Sequence, residues 1–134
     1  MKKYYKFLKL IIIVLILNLI WEFSHYSLYV DMSGLSKNYH LIQASFIDLI
    51  IIAFIFLIIS IKNKNTKWIE KPSLMDYSMI IILGLIIAII IELRALSIGR
   101  WIYIELMPTI FGIGLSPLIQ LAITFIISLQ IIKN

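Results

Sequence analysis

Two side chains early in the chain have types and a spacing that suit acid–base or metal chemistry. Glu22 and His25 form a Glu-x-x-His pair on one face of a helix. A histidine next to a carboxylate is a common general base, and pairs of Glu-x-x-His motifs hold the metal ions of di-iron helical bundles. This chain has one such pair, so any further ligands or bases would have to come from Asp48, Glu92 and His40.

Two hypotheses for these residues are open at the level of sequence. In the first, Glu22, His25, Asp48 and Glu92 are catalytic, and a metal ion is held by His25, His40 and Glu22. In the second, the same groups form a hydrogen-bonded cluster that fixes helix packing and carries no chemistry. Ionisable groups among apolar residues favour the first hypothesis, whereas their closeness to the end of the apolar stretches favours the second.

A second set of candidates is predicted to bind a ligand or a lipid headgroup: Arg94, Arg100, Trp101, Tyr103, Ser116 and Gln120. The guanidinium group of arginine matches the geometry of phosphate oxygens. Aromatic side chains beside it favour the membrane interface. The alternative role for Arg100 is an ion pair with Glu92 or Glu105 that anchors this segment at the interface.

Ser116 follows Gly114 and Leu115, as the nucleophile follows a glycine in the elbow of α/β-hydrolases. The Gly-x-Ser-x-Gly pattern fails, because Leu118 occupies the last glycine position and no strand is predicted before the serine. We therefore exclude a serine hydrolase of that class. The chain also lacks a phosphate-binding glycine loop, a dinucleotide fingerprint and a His-Glu-x-x-His motif.

Composition predicts the elements that carry these residues. Of the 134 residues, 62% are hydrophobic and 14% are charged, whereas soluble domains have about 25% charged residues. Four apolar stretches are long enough to cross a bilayer as helices, at residues 7–28, 41–61, 76–96 and 109–131. The sequence thus predicts an all-α membrane protein in which residues 1–134 form one four-helix transmembrane bundle. The absence of cysteine excludes disulfides and thiol chemistry.

The basic residues predict the orientation of the helices. Nine of the twelve flank one side of the predicted spans, namely Lys2, Lys3, Lys6, Lys9, Lys62, Lys64, Lys67, Lys71 and Lys133. The positive-inside rule places that side, with both termini, in the cytoplasm. The first apolar stretch is predicted to be a retained helix rather than a cleaved signal peptide. The predicted partners are the lipid bilayer and either a second copy or another membrane subunit, while no basic face suggests nucleic acid. No cofactor is identified from the sequence.

Polar residues within the spans are predicted to face a common interior in the outer half of the membrane. On each helix, polar residues share one face, in part with small residues that let a neighbouring helix approach. The four rows are Asn18, Glu22 and His25; Ser45 and Asp48; Gly84, Ala88 and Glu92; Gly112, Ser116, Gln120 and Thr124. An ionised carboxylate facing lipid would cost at least about 2.5–3.5 kcal/mol at the helix centre. On the fourth helix, Pro117 is predicted to cause a kink, because it would free the carbonyl of Ile113.

Two segments carry a resemblance: Trp21-Glu22…His25…Leu28-Tyr29 and Gly99-Arg100-Trp101-x-Tyr103…Met107-Pro108…Gly112-x-Gly114-Leu115-Ser116-Pro117-Leu118-x-Gln120. Their pattern resembles an uncharacterised family of small four-helix prokaryotic integral membrane proteins. The resemblance implies four spans and a prokaryotic plasma membrane. It implies no activity, substrate or functional residue.

The functional prediction is an outward-facing polar pocket that binds a metal ion, a lipid headgroup or a small ligand, in what could be a small membrane enzyme. A non-catalytic membrane subunit or assembly factor is the first alternative. A transporter subunit is the second, and it would require the polar path to continue past Gln120 toward the cytoplasm.

Overall fold

The computed structural model describes residues 2–30 and 37–134 of the chain. Its four α-helices are α1 (Lys2–His25), α2 (Lys37–Asn63), α3 (Leu74–Ser97) and α4 (Leu115–Lys133). Short 3₁₀ helices follow α1 (Tyr26–Leu28) and connect α2 to α3 (Thr66–Glu70). Two strands of two residues each, β1 (Thr109–Ile110) and β2 (Ile113–Gly114), pair antiparallel directly before α4.

All four helices are long and apolar enough to cross a membrane. Each exposes large apolar side chains on its outer surface, for example Ile12, Ile50, Ile82 and Ile127. Single exposed apolar residues are normal in soluble proteins, but extended apolar faces on every helix are not. The four helices therefore support the prediction of a helical multi-pass membrane protein, to which the structure adds one short strand pair.

The helices do not pack equally closely on all sides of the bundle. α1 packs along both α2 and α4, and α3 packs along α4, whereas α2 and α3 contact each other much less. The side between α2 and α3 is therefore the least closed part of the bundle.

Small residues bring α3 and α4 together, as their spacing predicted. Gly84 and Ala88 are both buried on α3. A Cβ atom on Gly84 would lie 3.3 Å from the backbone nitrogen of Ala122 and 3.4 Å from its Cβ atom. α4 can approach this closely because Gly84 has no side chain.

A hydrogen-bonded cluster fixes the connection between α2 and α3. The carboxylate of Asp76 accepts hydrogen bonds from Lys62 Nζ (3.1 Å) and Asn63 Nδ2 (2.8 Å). It also accepts bonds from the backbone N–H and the hydroxyl of Ser73, both at 2.8 Å. Ser73 in turn caps α3 by accepting a bond from the Asp76 N–H. These hydrogen bonds connect the end of α2 to the start of α3.

An aromatic cluster lies in the core beside this connection. The ring of Trp68 stacks on Phe56 and meets Phe125 edge-on, with centroid distances of 5.8 and 6.2 Å. Its indole Nε1 donates to the hydroxyl of Ser60 at 2.9 Å. Burial of the indole N–H therefore leaves no donor unpaired.

The fourth helix begins later than predicted. α4 starts at Leu115 rather than at residue 109, because residues 109–114 form the β1–β2 hairpin. Phe111 and Gly112 have φ angles of 50° and 79°, which suit a tight two-residue turn and not a helix. Pro117 therefore lies in the first turn of α4, where an N–H group would have no helical partner. The reason given for a kink at Pro117 is therefore absent, and the structure does not show the predicted kink. Gly112 precedes α4 and is not part of its helical row.

Backbone pairing joins the end of α1 to the connection between α3 and α4. Tyr29 and Tyr103 form an isolated antiparallel bridge. The N–H of Val30 donates to the carbonyl of Ile102 at 2.8 Å, and the N–H of Ile104 donates to the carbonyl of Leu28 at 3.0 Å. The bridge places two tyrosine side chains at the end of the bundle where the polar residues gather.

Candidate functional site

Gln120 of α4 joins polar side chains from α1 and α2. Its amide Nε2 donates to Asn18 Oδ1 (3.1 Å), Glu22 Oε1 (2.8 Å) and Asp48 Oδ2 (2.7 Å). An amide nitrogen carries two hydrogens, so three acceptors crowd around two N–H bonds. The carboxyl groups of Glu22 and Asp48 also lie within hydrogen-bonding reach of each other. The predicted polar rows of α1, α2 and α4 do face one another.

Glu22 and His25 form the predicted pair, and Ser116 extends it. Glu22 Oε2 lies 3.3 Å from His25 Nε2, and His25 Nδ1 lies 2.8 Å from Ser116 Oγ. The hydroxyl of Ser116 also accepts a hydrogen bond from Trp21 Nε1 at 3.2 Å. A continuous line of hydrogen bonds therefore runs from Gln120 through Glu22 and His25 to Ser116.

Glu92 has its own hydrogen-bond donors, from the connection between α3 and α4. Its Oε2 atom accepts a bond from Trp101 Nε1 at 3.1 Å and another from the Tyr103 hydroxyl. Glu92 is only 4% exposed, so these two donors replace water around the carboxyl group. Glu92 thus does not join the hydrogen bonds of Glu22 and Asp48.

The carboxyl groups of Glu22, Asp48 and Glu92 nevertheless line the same cavity, which has a volume of about 310 Å³. Its acidic and basic lining residues are Glu22, His25, His40, Asp48, Glu92 and Arg100, and the tyrosines Tyr26 and Tyr29 line it as well. Gln43 and Ile47 also line it and are exposed on the outer surface of α2, next to the loosely packed side between α2 and α3. The volume is at the lower end of the roughly 300–1,000 Å³ typical of ligand pockets.

Most of the predicted ligand-binding residues lie at this cavity. They either line it or contact a residue that does: Arg100, Trp101, Tyr103, Ser116 and Gln120. Arg94 is exposed on α3 and does not line the cavity. In the part of the chain that the structure describes, Arg100 forms no ion pair with Glu92 or Glu105. The anchoring ion pair considered from the sequence is therefore not formed.

The predicted metal site does not form in the described residues. Within residues 2–30 and 37–134, no group of three or more His, Asp or Glu side chains is arranged to hold a metal ion. Both ring nitrogens of His25 already have partners, Glu22 and Ser116, and a metal would need one of them. His40 lines the cavity without completing a ligand set.

Two aromatic residues of the site, Trp21 and Tyr29, belong to the segment that carries the resemblance but were given no functional role from the sequence. Trp21 donates to Ser116, which lies 95 residues away in the chain. Tyr29 packs edge-on against the rings of His25 and Trp101, with centroid distances of 5.3 and 6.3 Å. Apart from the resemblance, their sequence signal was that of interfacial aromatics. Neither contact could have been identified without the tertiary structure.

Two tyrosines outside the spanning helices, Tyr29 and Tyr103, have phenol groups with a raised pKa. Burial raises the pKa of Tyr103 above its ordinary value, and the hydrogen bond to Glu92 raises it further. Burial likewise raises the pKa of Tyr29, and the negative charge of Glu92 adds to the effect. The folded protein therefore keeps these protons to a higher pH than the unfolded chain does. This contribution to stability is complete below the ordinary pKa of tyrosine and is lost as the pH rises through the raised value.

The unfolding temperature should therefore fall less steeply with alkaline pH in a Tyr103→Phe variant than in the wild type, above about pH 10. Thermal unfolding followed by circular dichroism over a pH series measures the slope. Tyr4→Phe, at an exposed position on α1, is the matched control and should keep the wild-type slope. An unchanged slope in Tyr103→Phe would rule out the linkage.

Comparisons with protein-family models, with curated proteins and with solved structures found no match to this chain. The functional proposal therefore rests on the residues and their geometry, and the family resemblance stays a prediction.

Proposed function

We propose that this chain is a multi-pass membrane protein that binds the primary ammonium group of a small amphiphile in the cavity between its helices. The observation that carries the proposal is the placement of Glu22, Asp48 and Glu92 on one cavity of about 310 Å³. Ammonium groups of this kind occur in lipid headgroups and in free alkylamines.

The chemistry of the cavity suits a ligand that donates hydrogen bonds. An ammonium group has three N–H donors and no acceptor, whereas an ionised carboxylate has about four lone-pair directions and only accepts. Gln120 binds one oxygen of Glu22 and one of Asp48, which leaves lone pairs for a ligand. A cation placed beside both carboxyl groups would also offset their mutual repulsion.

The walls of the cavity favour a ligand with an apolar body. Leu41, Ile47 and Leu121 line it together with the polar groups. Ile47 is also exposed on the surface of α2, beside the side of the bundle where α2 and α3 pack least closely. A molecule dissolved in the membrane could therefore reach the cavity with its chain still in the hydrocarbon. The exposed Arg100 would meet the phosphate of a lipid headgroup.

The orientation and location form part of the proposal. The clusters of lysine support a position of both termini in the cytoplasm, with the cavity facing outward across a prokaryotic plasma membrane. A second copy of the chain or another membrane subunit remains the proposed protein partner. The type of ligand proposed depends neither on the orientation in the membrane nor on the protein partner.

A transporter subunit and a non-catalytic subunit are the alternatives. Thr124 and Ser128 are buried on α4 beyond Gln120. The Thr124 hydroxyl lies 3.4 Å from Asn18 Oδ1, but the shorter bonds of both hydroxyl groups are to carbonyls of their own helix, at 2.9 and 2.6 Å. Such bonds are typical of helix-packing residues, and they give the transporter hypothesis no continuous polar path. A non-catalytic subunit, in which the polar cluster only fixes packing, would bind no amine.

The proposal is tested with a charged and an uncharged ligand of equal length. The protein is placed in nanodiscs and titrated with octylammonium or with 1-octanol, while its thermal unfolding is followed. Octylammonium should raise the unfolding temperature in a saturable manner, and 1-octanol should not. Equal effects of the two compounds would contradict the proposal.

A second measurement distinguishes a lipid headgroup from a free amine. Native mass spectrometry compares the retention of phosphatidylethanolamine with that of phosphatidylcholine, whose quaternary nitrogen has no N–H donors. Preferential retention of the ethanolamine lipid indicates a lipid ligand. Equal retention, together with an octylammonium effect, indicates a free amine.

A further inference from the structure

Three side chains at the edge of the cavity form a line of hydrogen bonds, and the proposed binding function uses one of them, Glu22, but neither Ser116 nor His25. Ser116 Oγ lies 2.8 Å from His25 Nδ1, and His25 Nε2 lies 3.3 Å from Glu22 Oε2. The other carboxyl oxygen of Glu22 is held by Gln120 at 2.8 Å. Hydrolases that use a serine, a histidine and a carboxylate are recognised by these contacts and not by the order of the residues in the chain.

The hydrogen bonds fit one tautomer of His25. With its proton on Nε2, the imidazole donates to the Glu22 carboxylate, and Nδ1 is free to accept from the Ser116 hydroxyl. In this arrangement Glu22 orients the ring, and His25 is placed to take the proton of the serine. Glu22 is a positioning residue in this scheme, because it acts through the histidine.

The local structure around Ser116 suits a nucleophile. Ser116 is the second residue of α4 and directly follows the short strand β2, so a strand does precede it, contrary to the prediction from sequence. The start of a helix carries partial positive charge. The indole N–H of Trp21 lies 3.2 Å from the Ser116 oxygen and adds a donor beside it. Both features favour the negative charge that the Ser116 oxygen itself develops as it gives up its proton.

The serine is also within reach of the cavity. His25 and Pro117, which are its hydrogen-bond partner and its chain neighbour, both line the cavity. Ser116 itself is half-buried. A substrate in the cavity would therefore lie next to the line of three side chains.

We propose that Ser116 is the nucleophile of an acyl-transfer site that hydrolyses a carboxylic ester of an amphiphile. The Ser116 oxygen forms a bond to the acyl carbon while His25 takes the hydroxyl proton. The ester C–O bond then breaks, and His25 gives the proton to the leaving alcohol. Water attacks the acyl-serine with His25 as the base, which releases the carboxylic acid and restores the serine. The overall reaction converts one ester and one water into one acid and one alcohol.

The proposal can be tested by thiol labelling. Because the chain has no native cysteine, the alkylation rate of a single introduced cysteine reports on that position alone. Ser116→Cys places a thiol where His25 can take its proton, and a thiol activated in this way reacts faster. We expect iodoacetamide to alkylate Ser116→Cys at least about 10-fold faster than Ser116→Cys/His25→Gln, which has the same access to the reagent. Ser116→Cys/Glu22→Gln should fall between them, because the histidine loses its orienting carboxylate.

Equal rates in the single and double variants, measured on protein that unfolds at its wild-type temperature, would overturn the proposal. A second measurement covers the case in which the double variant is unfolded. In the wild type, a fluorophosphonate probe should modify Ser116, as identified by peptide mass spectrometry, and labelling spread over other serines would equally overturn it. Neither readout requires an ammonium ligand, so failure here is distinguishable from failure of the binding proposal.

Discussion

Replacing Gln120 with leucine should lower the free energy of unfolding by about 3 kcal/mol or more. One amide nitrogen serves Asn18, Glu22 and Asp48, and all three lose their shared donor in this variant. Glu22 keeps its contact with His25, and Asn18 Oδ1 keeps a longer one with the Thr124 hydroxyl, whereas Asp48 Oδ2 and Glu22 Oε1 lose their donor. Each buried oxygen left without a donor costs roughly 1–3 kcal/mol. Two neighbouring carboxyl groups without a donor between them add repulsion. Equilibrium unfolding in mixed detergent micelles measures the change.

The matched control is Gln130→Leu on the same helix. Gln130 is exposed, and its Nε2 atom donates one hydrogen bond, to the Tyr77 hydroxyl at 2.9 Å. A change at an exposed position with one bond should cost less than about 1 kcal/mol. Similar losses for the two glutamines would mean that the buried network adds nothing to stability beyond an ordinary surface contact.

Asp48→Asn should weaken the binding of octylammonium by about 10- to 100-fold. A hydrogen bond to a charged group contributes roughly 1.5–3 kcal/mol, and the substitution removes the charge but keeps the size of the side chain. Isothermal titration of the protein in nanodiscs measures the affinity. Glu105→Gln is the control, since Glu105 is exposed and does not line the cavity, and it should bind as the wild type does. An unchanged affinity in Asp48→Asn would show that the carboxyl group of Asp48 does not contact the ligand.

The first three helices were predictable because their signal is local. Long apolar stretches must be helical in a bilayer, since the backbone has no water to bond. The i+4 spacing of Gly84 and Ala88 then predicted which face of α3 is buried, and the close approach of Ala122 confirms it. Inward placement of Glu22 and Asp48 followed from the energetic cost of exposing carboxylates to lipid.

The start of the fourth helix was not predictable from apolar character. Residues 109–114 are as apolar as the helix that follows, and hydropathy does not distinguish a hairpin from a helical turn. The pair Phe111-Gly112 was the available signal, since glycine tolerates the positive φ of a tight turn. Once the hairpin is present, Pro117 moves into the first turn of α4 and its expected effect disappears.

The hydrogen bonds of the site depend on long-range packing that no spacing rule gives. Ser116 was assessed against a sequence motif, and that motif is absent. Its bond to His25 spans 91 residues and exists because α1 packs along α4. Similarly, Glu92 was predicted to face the same interior as Glu22. It lines the same cavity, but its hydrogen bonds come from Trp101 and Tyr103, which follow α3 directly in the chain.

The carboxyl side chains of α1 and α2 turn toward each other inside the bundle, and both functional proposals depend on this arrangement. Intact-mass measurement after treatment with a short bifunctional thiol reagent tests it on the doubly substituted Glu22→Cys/Asp48→Cys protein, because the chain has no other thiol. If this arrangement is correct, we expect one bridging adduct per molecule for this pair, and two separate adducts for Phe23→Cys/Phe46→Cys, whose positions are exposed. Bridging of the exposed pair alone, or of neither pair, would contradict it.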